Sequence, residues 1–437
     1  YDDSEETFFK NIFNLKPCHI LEINLKNKIK KTIIKWWNPE IKEIKISYKS
    51  ATKKLREIFL ENIKMHLRSD VPLGAALSGG IDSSSIVSCI RYIYPDLKIN
   101  TFSFISEEAK SNEEKWVDIV NDSVKAKSYK LKSNNLNINS DLENLISVQG
   151  EPFGSTSIYA QYKLYEFVKK SGIIVTLDGQ GADELLAGYG GYPIQRTQSL
   201  IDKFRIYDAF KFLNEWSKYP GRSLKLTVLG LFYDYLPISM KNFILYFKKK
   251  KLVPSYFDKQ FLKNSKISIY KKNFFFNKKD IKGRRLVNKL KESLTGDGLA
   301  SLLRHGDRNS MKWSVESRVP FLTTDLAEFL LTLPEDFLIS DKGLTKNIFR
   351  NAMKGIVPKE ILKRKDKIGF EPPENEWLAS SRSIINETIN EVENIPIFNS
   401  YNCKTLLNNY FKYPKSVNSR LVWRIINYAK WYSINFK

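Results

Sequence analysis

The apolar run from Val71 to Leu77 stops at Ser78-Gly79-Gly80, and a helical spacing through Ile81, Ser84, Ile86, Val87 and Ile90 begins at once. A buried run that turns through two glycines into a helix is a strand, a tight turn and a helix, the opening unit of a parallel sheet. The paired glycines let backbone N–H groups point at an anion, and the positive end of the new helix favours a phosphate there. Asp82 is out of keeping with that. A carboxylate in a phosphate cradle is repulsive unless a cation stands between, which points to a pyrophosphate bridged by Mg²⁺. A glycine-rich turn capped by Ser and Asp, with no ligand, also accounts for the stretch taken alone.

The chain on either side repeats the alternation. Apolar residues at helical spacing from Ala51 to Leu67 predict a helix leading into the first strand. Further strands are expected at 98–105, 128–131 and 173–177, with helices at 112–124, 141–148 and 158–168 between them. This order predicts an α/β fold, a doubly wound parallel sheet whose ligands gather at the carboxyl ends of its strands. Leu77 and Leu177 both end strands at loops rich in Gly and Asp. The second loop, Asp178-Gly179-Gln180-Gly181-Ala182-Asp183-Glu184, again sets glycines beside carboxylates. Asp82 and Asp183 are expected to meet across adjacent strand ends, where two carboxylates, phosphate oxygens and water make a Mg²⁺ site. Helix capping by Asp183 and Glu184 is the plainer alternative.

The flanks differ in character. Phe8, Phe9, Ile12 and Phe13 predict a short helical stripe, and 20–25 alternates like an edge strand with a hairpin partner at 29–37. A piece this small cannot bury a core alone, so it is expected to be the tail of a preceding domain or a strap on the following one. Residues 190–294 are aromatic-rich and basic and predict helices without a chemical motif; the lysines 248–251 read as a solvated face. Glu316 and Arg318 stand in a run apolar enough to be buried, so each needs a charged partner, structural or from a substrate. Lys346 precedes an amphipathic helix, and Arg364-Lys365-Asp366-Lys367 runs into Gly369 as a turn entering a site, where a lysine would neutralise phosphate charge. The stripe Leu421, Trp423, Ile425, Ile426, Ala429 and Trp431 in the last segment is expected to be packing, not chemistry.

Composition narrows the partners. The 437 residues allow two domains, or one large domain with an attachment, and 42% hydrophobic content is that of a globular chain. Cys18, Cys89 and Cys403 lack metal or disulfide spacing, so a reducing, cytoplasmic setting is expected. The acidic lead after Tyr1 has no signal-peptide pattern, and the apolar stretch 224–238 is broken by Lys225, Asp234 and Pro237; no membrane partner is expected. A net charge of +23 raises nucleic acid, but the charge is mostly Lys spread over helical faces, without RNA-reading aromatics or an RGG-like tract, so nucleic acid is not expected either.

Ser78-Gly79-Gly80-Ile81-Asp82-Ser83-Ser84 resembles the pyrophosphatase loop of adenylating enzymes of the adenine-nucleotide alpha-hydrolase type. Val71 to Gly74, Asp178 to Tyr189, Asp307 to Met311, Glu316 to Phe321 and Arg364 to Phe370, in this order, are similar to the synthetase domain of glutamine-dependent asparagine synthetases, over roughly residues 50–435. Glu6-Thr7-Phe8-Phe9 and the Leu15 to His19 stretch look like the last strands of that family's glutaminase domain. The implied division is a glutaminase remnant at 1–48 and a synthetase domain at 49–437 with a variable helical region at 190–294 and an added helical C-terminal part. The family's N-terminal cysteine nucleophile has no match at Tyr1, so the chain is expected to be a fragment of a longer protein.

The resemblance implies ATP held by Leu77, Ser78, Gly79, Gly80, Asp82, Ser83 and Ser84, with adenine near Leu77 and Phe104 and the ribose near Gly179. Mg²⁺ would sit on Asp82 and Asp183. A carboxylate, the aspartate side chain in the family, would attack the α-phosphorus and expel pyrophosphate, and ammonia derived from glutamine would displace AMP to give asparagine. Lys367 matches the family's charge-neutralising lysine, with Lys346 as a second candidate. Gln180 stands where the family commonly has Glu, placed to take a proton from the amine; an amide can orient ammonia but is no general base. Thr323 replaces an Asp, and Cys18 stands where Gly is usual. These departures leave the acceptor open between aspartate and another carboxylate, such as a sugar acid or a peptide. A tRNA-modifying enzyme on the same loop and an ATP-binding scaffold without turnover are the rivals. The partners implied are small molecules, with a homodimer compatible.

Overall fold

A computed structural model of the chain describes residues 5–25, 30–107, 112–237, 240, 243–244, 253–265, 281–296, 298–366, 372–414 and 417–436. Strands β1 (His19–Asn24) and β2 (Lys30–Lys35) pair as an antiparallel hairpin, with His19 opposite Lys35. The stretch expected to be helical around Phe8 to Phe13 is a closed turn instead. Thr7 Oγ1 donates to the carbonyls of Phe9 and Ile12, and Phe8 and Phe9 pack edge-on against Trp431, so the apolar spacing serves a turn rather than a helix face. Cys18 adopts φ 64°, a left-handed position that glycine takes without strain. The connection at 37–44 is strapped to the body: Trp37 Nε1 donates to Glu328 at 2.9 Å and Arg284 Nε to the Ile41 carbonyl at 2.9 Å.

The central sheet contains β3 (Leu73–Ala76), β4 (Asn100–Ile105), β5 (Lys127–Lys132), β6 (Val175–Leu177) and β7 (Glu316–Arg318), all parallel, in the order β5-β4-β3-β6-β7. Helices α1 (Tyr48–His66), α2 (Ile81–Ile93), α3 (Glu114–Val124), α4 (Ile138–Gln149) and α5 (Ser157–Lys170) precede or link these strands. The fold is therefore the expected α/β doubly wound parallel sheet. After β5 the chain crosses back to the far side of β3, so strand order reverses between β3 and β6, and the crevice outside their carboxyl ends is where such sheets take ligands. Gly74 in β3 is dictated by packing, since a Cβ there would lie 2.8 Å from the Phe102 ring of the neighbouring strand.

Strand β7 was not foreseen, because three polar residues carry no β-type pattern. Its Glu316 is exposed and pairs with Arg318 at 2.7 Å, while Arg318 Nη1 donates to the carbonyls of His66 and Arg68. The pair predicted to be buried is thus a structural pair on an edge strand. Helix α1 begins at Ser47, whose side chain accepts from Ser50 N–H, and buries Ala51, Leu55, Phe59 and Ile63. Phe59 meets Phe321 and Phe349 at ring distances of 4.7 and 5.1 Å, and each such burial is worth about 1.5–3 kcal/mol.

Past β6, α6 (Ala182–Leu186), α7 (Tyr192–Asp202), α8 (Ile206–Ser217) and α9 (Leu224–Tyr235) build the helical region expected there; the lysines 248–251 lie outside the described residues. The C-terminal helices Arg382–Glu391, Ser400–Lys412 and Ser419–Phe436 pack with α4 and α5 around Trp423, Tyr159 and Tyr410. Among the described residues no helix is long and apolar enough to cross a membrane.

Candidate active site

The turn after β3 is built so that only its own residues fit. Gly79 has φ 72°, and a Cβ on it would fall 2.5 Å from Trp116 Cβ. Ser83 Oγ accepts from Ser78 N–H at 3.1 Å, and Gly80 begins α2 with no side-chain cap. An uncapped start of a 13-residue helix keeps donors and dipole directed at the turn. Arg364 braces the turn from outside: Nη1 donates to the Gly79 carbonyl at 3.2 Å, Nη2 pairs with Glu113 at 2.8 Å, and the guanidinium lies over the Trp116 ring. Burial pushes the Glu113 carboxyl up to about 7, against the pull of Arg364.

The two loops meet as the sequence predicts. A Cβ on Gly179 would stand 3.3 Å from both Asp82 Cβ and Ser83 N, so the turn after β6 lies directly on the start of α2. Asp82 and Asp183 converge on one cation, Lys346, whose Nζ is 2.5 Å from Asp82 Oδ2 and 2.7 Å from Asp183 Oδ1. Burial of this lysine works against its charge, but Asp183 and Asp82 outweigh it and raise its pKa. Lys346 and Ala187 both hold left-handed backbone, at φ 55° and 56°, a conformation kept only where surrounding contacts fix it.

Gly188 makes room for the cluster. A Cβ there would lie 1.7 Å from Asp183 Oδ1 and 2.4 Å from Lys346 Cε. Gly188→Ala is therefore expected to cost about 1–3 kcal/mol by overpacking, read as a lower urea midpoint. Gly190→Ala, where nothing lies within 4 Å, should leave the midpoint unchanged.

A cavity of about 620 Å³ opens beside these loops, within the usual range for small-molecule sites. Of the residues expected to contact a nucleotide, Leu77, Ser78, Asp82, Ser83, Phe104 and Gly179 line it, as do Gln180 and Asp183. Gly79 is buried against Trp116, Gly80 sits at the helix start, and Ser84 is fully buried within α2; none of the three forms part of the wall. Lys346 is buried behind the two carboxylates, and Lys367 lies outside the described residues. Gln180 Nε2 stands 3.5 Å from Asp178 Oδ2, in space left by the missing side chain of Gly306. Asp178 ties the loop to β7, its N–H donating to the Arg318 carbonyl at 2.7 Å; burial pushes its carboxyl up, with the Gly179 and Gln180 N–H groups opposing. Glu184, buried, accepts from Tyr189 Oη at 2.6 Å, and burial raises its pKa too.

Several features escaped sequence reasoning. Arg420 and Arg424 of the last helix line the cavity, so that helix is not packing alone. Their spacing of four, off the apolar stripe, was the available signal. Asn309, in a stretch singled out by sequence, is a buried structural tie, donating to the Ile158 carbonyl at 2.9 Å and accepting from Gln149 at 2.7 Å. Thr323 caps the helix Thr324–Thr332 and accepts from Asn62 at 2.8 Å, which leaves it a structural part.

Among the described residues no group of three or more His, Cys, Asp or Glu stands ready for a metal. Asp82 and Asp183 are two hard oxygen donors already gathered on a positive charge, which fits an ion that takes one or two carboxylates and completes its shell with phosphate oxygens and water.

A parallel sheet whose strand order reverses beside an uncapped glycine turn, a carboxylate pair and a cavity places the chain in the class of doubly wound α/β proteins. Within that class the match is specific: residues 54–433 fit the asparagine synthase family, and the chain belongs to it. It is similar to asparagine synthetase [glutamine-hydrolyzing] 1 of Bacillus subtilis (strain 168), 28% identical over 420 residues, which cover 92% of this chain and 62% of the relative. Putative asparagine synthetase [glutamine-hydrolyzing] 2 of Methanocaldococcus jannaschii is 31% identical over 207 residues, 46% of this chain and 40% of the relative. Amidase chry2 of Gibberella zeae is 24% identical over 407 residues, 84% of this chain and 59% of the relative. The chain thus spans about three fifths of the length of the first of these curated relatives.

Proposed function

We propose that the chain is the ATP-dependent synthetase part of a glutamine-hydrolysing amidotransferase, a carbon–nitrogen ligase that adenylates the aspartate side chain and forms asparagine. The observation that carries this reading is the convergence of Asp82 and Asp183 on Lys346 at the ends of adjacent parallel strands, beside the glycine turn. Adenine lies against Leu77 and Phe104, the ribose near Gly179, and the phosphates at Ser78, Ser83 and the uncapped start of α2, with Gly79, Gly80 and Ser84 shaping that turn from outside the cavity wall. Asp82 and Asp183 would hold Mg²⁺, which would supply charge neutralisation for a polyanion approached by a carboxylate.

In the first step a carboxylate oxygen bonds to the α-phosphorus, the bond to the β-phosphate oxygen breaks and pyrophosphate leaves. Lys367 and the helix start of α2 meet the charge that develops there, and Lys346 holds the two aspartates in register. In the second step ammonia adds to the acyl carbon, a proton leaves the nitrogen and AMP departs. Gln180 orients ammonia by hydrogen bonding but cannot take that proton, which goes to water, phosphate or Glu184.

With ATP, Mg²⁺, aspartate and ammonia, AMP and asparagine should form in equal amounts; no AMP from aspartate, with AMP released by a different carboxylate, would remove aspartate as the acceptor. Gln180→Glu should leave pyrophosphate release within about twofold and speed asparagine formation by about tenfold or more, measured in parallel assays. Gln180 itself favours a second reading, the same activation chemistry with a sugar carboxylate or a peptide as acceptor. The likeness to a protein named an amidase is compatible with such variety.

A further inference from the structure

Arg222, in the turn between α8 and α9, is a half-buried cation without an anion. Its guanidinium carbon stands over the Trp216 ring, 3.2 Å from the centroid, and 4.5 Å from the centroid of Tyr219. Such stacking satisfies the face of a guanidinium and none of the N–H groups along its edge. Nη1 is shut off from solvent and has no hydrogen-bond partner among the described residues. Burial pushes the Arg222 pKa down to about 10, with Tyr219 opposing, so the group keeps its charge near neutrality.

Two more cations gather at the same ring. The Lys365 ammonium is 5.4 Å from the Tyr219 centroid, and Arg350 is close enough for its charge to be felt by both Tyr219 and Asp82. Arg350 donates to the carbonyls of Thr345 and Leu362, at 3.1 and 2.9 Å, and pairs with no carboxylate among the described residues. The acidic groups nearby are already taken: Glu215 pairs with Lys218, Asp366 with Arg364 and Asp82 with Lys346.

The surroundings of this cluster select its anion. Lys365 follows Arg364, whose Nη1 holds the Gly79 carbonyl of the phosphate turn. A Cβ on Gly343 would stand 3.0 Å from Trp216 Cα, so the loop that carries Lys346 lies directly on the end of α8. The three cations thus stand beside the turn, yet none of them lines the cavity of about 620 Å³. A lone carboxylate would leave most of their charge unmatched. A polyphosphate matches it, because guanidinium forks fit phosphate oxygens in pairs.

We infer that Arg222, Arg350 and Lys365 form a receiving site for inorganic pyrophosphate, beside the phosphate turn and outside the cavity. The source of that pyrophosphate rests on the proposed ATP cleavage; the chemistry of the site does not. Pyrophosphate held there leaves the turn clear and is kept from attacking the adenylate, the step that would restore ATP.

The test is calorimetric titration of the chain with sodium pyrophosphate, without metal or nucleotide. Asp82 and Asp183 disfavour a polyanion at the turn when no Mg²⁺ is present, so metal-free binding reads the arginine site. The unaltered chain should bind pyrophosphate at least about tenfold more tightly than inorganic phosphate, and Arg222→Gln should weaken pyrophosphate by about tenfold or more with its melting transition intact. Lys365→Ala, at an exposed side chain, should weaken it by about threefold and carries the test if Arg222→Gln loses its fold. Unchanged pyrophosphate affinity in these variants overturns the proposal, as does phosphate binding as tight as pyrophosphate. A chain that binds pyrophosphate through Arg222 yet cleaves no ATP would uphold the site and fail the nucleotide reading; one that cleaves ATP while Arg222→Gln binds pyrophosphate undiminished would do the reverse.

Discussion

Asp183→Asn should abolish pyrophosphate release, a fall of about 100-fold or more, while leaving the protein folded. The substitution keeps the side chain's shape and removes one negative charge. Lys346 then faces Asp82 alone, still 2.5 Å away and still paired, so the buried ammonium is not stranded. What is lost is one of the two carboxylates proposed to hold the ion on the phosphates. Asp82→Asn should act in the same way from the other side, and the two together should cost little more than either, because they act as one unit. Unchanged melting temperatures with lost pyrophosphate release would support the assignment. Normal pyrophosphate release by Asp183→Asn would contradict it.

Lys346→Met is expected to have the largest effect on stability, a loss of about 3–5 kcal/mol in urea denaturation. It leaves two partly buried carboxylates side by side with their shared cation gone, and one of them should then take up a proton, its pKa raised by the other. Mg²⁺ should restore part of the stability in the variant and do little for the parent, because a divalent ion can stand in for the ammonium. Lys346→Met with Asp183→Asn should be less destabilised than Lys346→Met alone. A stability change below about 1 kcal/mol would remove the electrostatic account. The pH dependence follows from the sign of the shift. Lys346 has a folded pKa above its unfolded value, so its contribution is full below about 10.5 and is lost only as pH rises past that through the folded value. The cluster therefore does not titrate through this lysine near neutrality.

Much of this arrangement was legible. The strand, glycine turn and helix at 71–90, with the alternation that follows, pointed to a parallel sheet and to Asp82 and Asp183 at the carboxyl ends of adjacent strands, as β3 and β6 are. Lys346 was ranked below Lys367 because nothing in Gly343-Leu344-Thr345-Lys346 distinguishes a surface lysine from one drawn inward by two carboxylates of distant loops. That is a tertiary fact. Strand β7 was missed for a related reason: a three-residue edge strand is defined by its partner β6, and Glu316-Ser317-Arg318 has no periodicity to read. The turn at Phe8 to Phe13 shows the opposite error. Its apolar spacing mimics a helix, but Thr7 offers the backbone a local alternative, and Trp431 supplies the surface for its aromatic rings. Arg420 and Arg424 stand off the apolar stripe of their helix, and only the tertiary fold turns that side toward the cavity.

The strand order has a consequence for how the chain reaches its working form. Strands β3, β4 and β5 follow one another and can pair early, each joined to the next through a single helix. Ala75 meets Leu177 only after a far longer loop has closed, and Lys346 must arrive later still in the sequence. Until then Asp82 has neither its cation nor its acidic partner. The proposed ATP cleavage would thus report on completed topology, and a kinetic intermediate holding the first three strands would register as folded by its secondary structure yet be silent in any turnover assay.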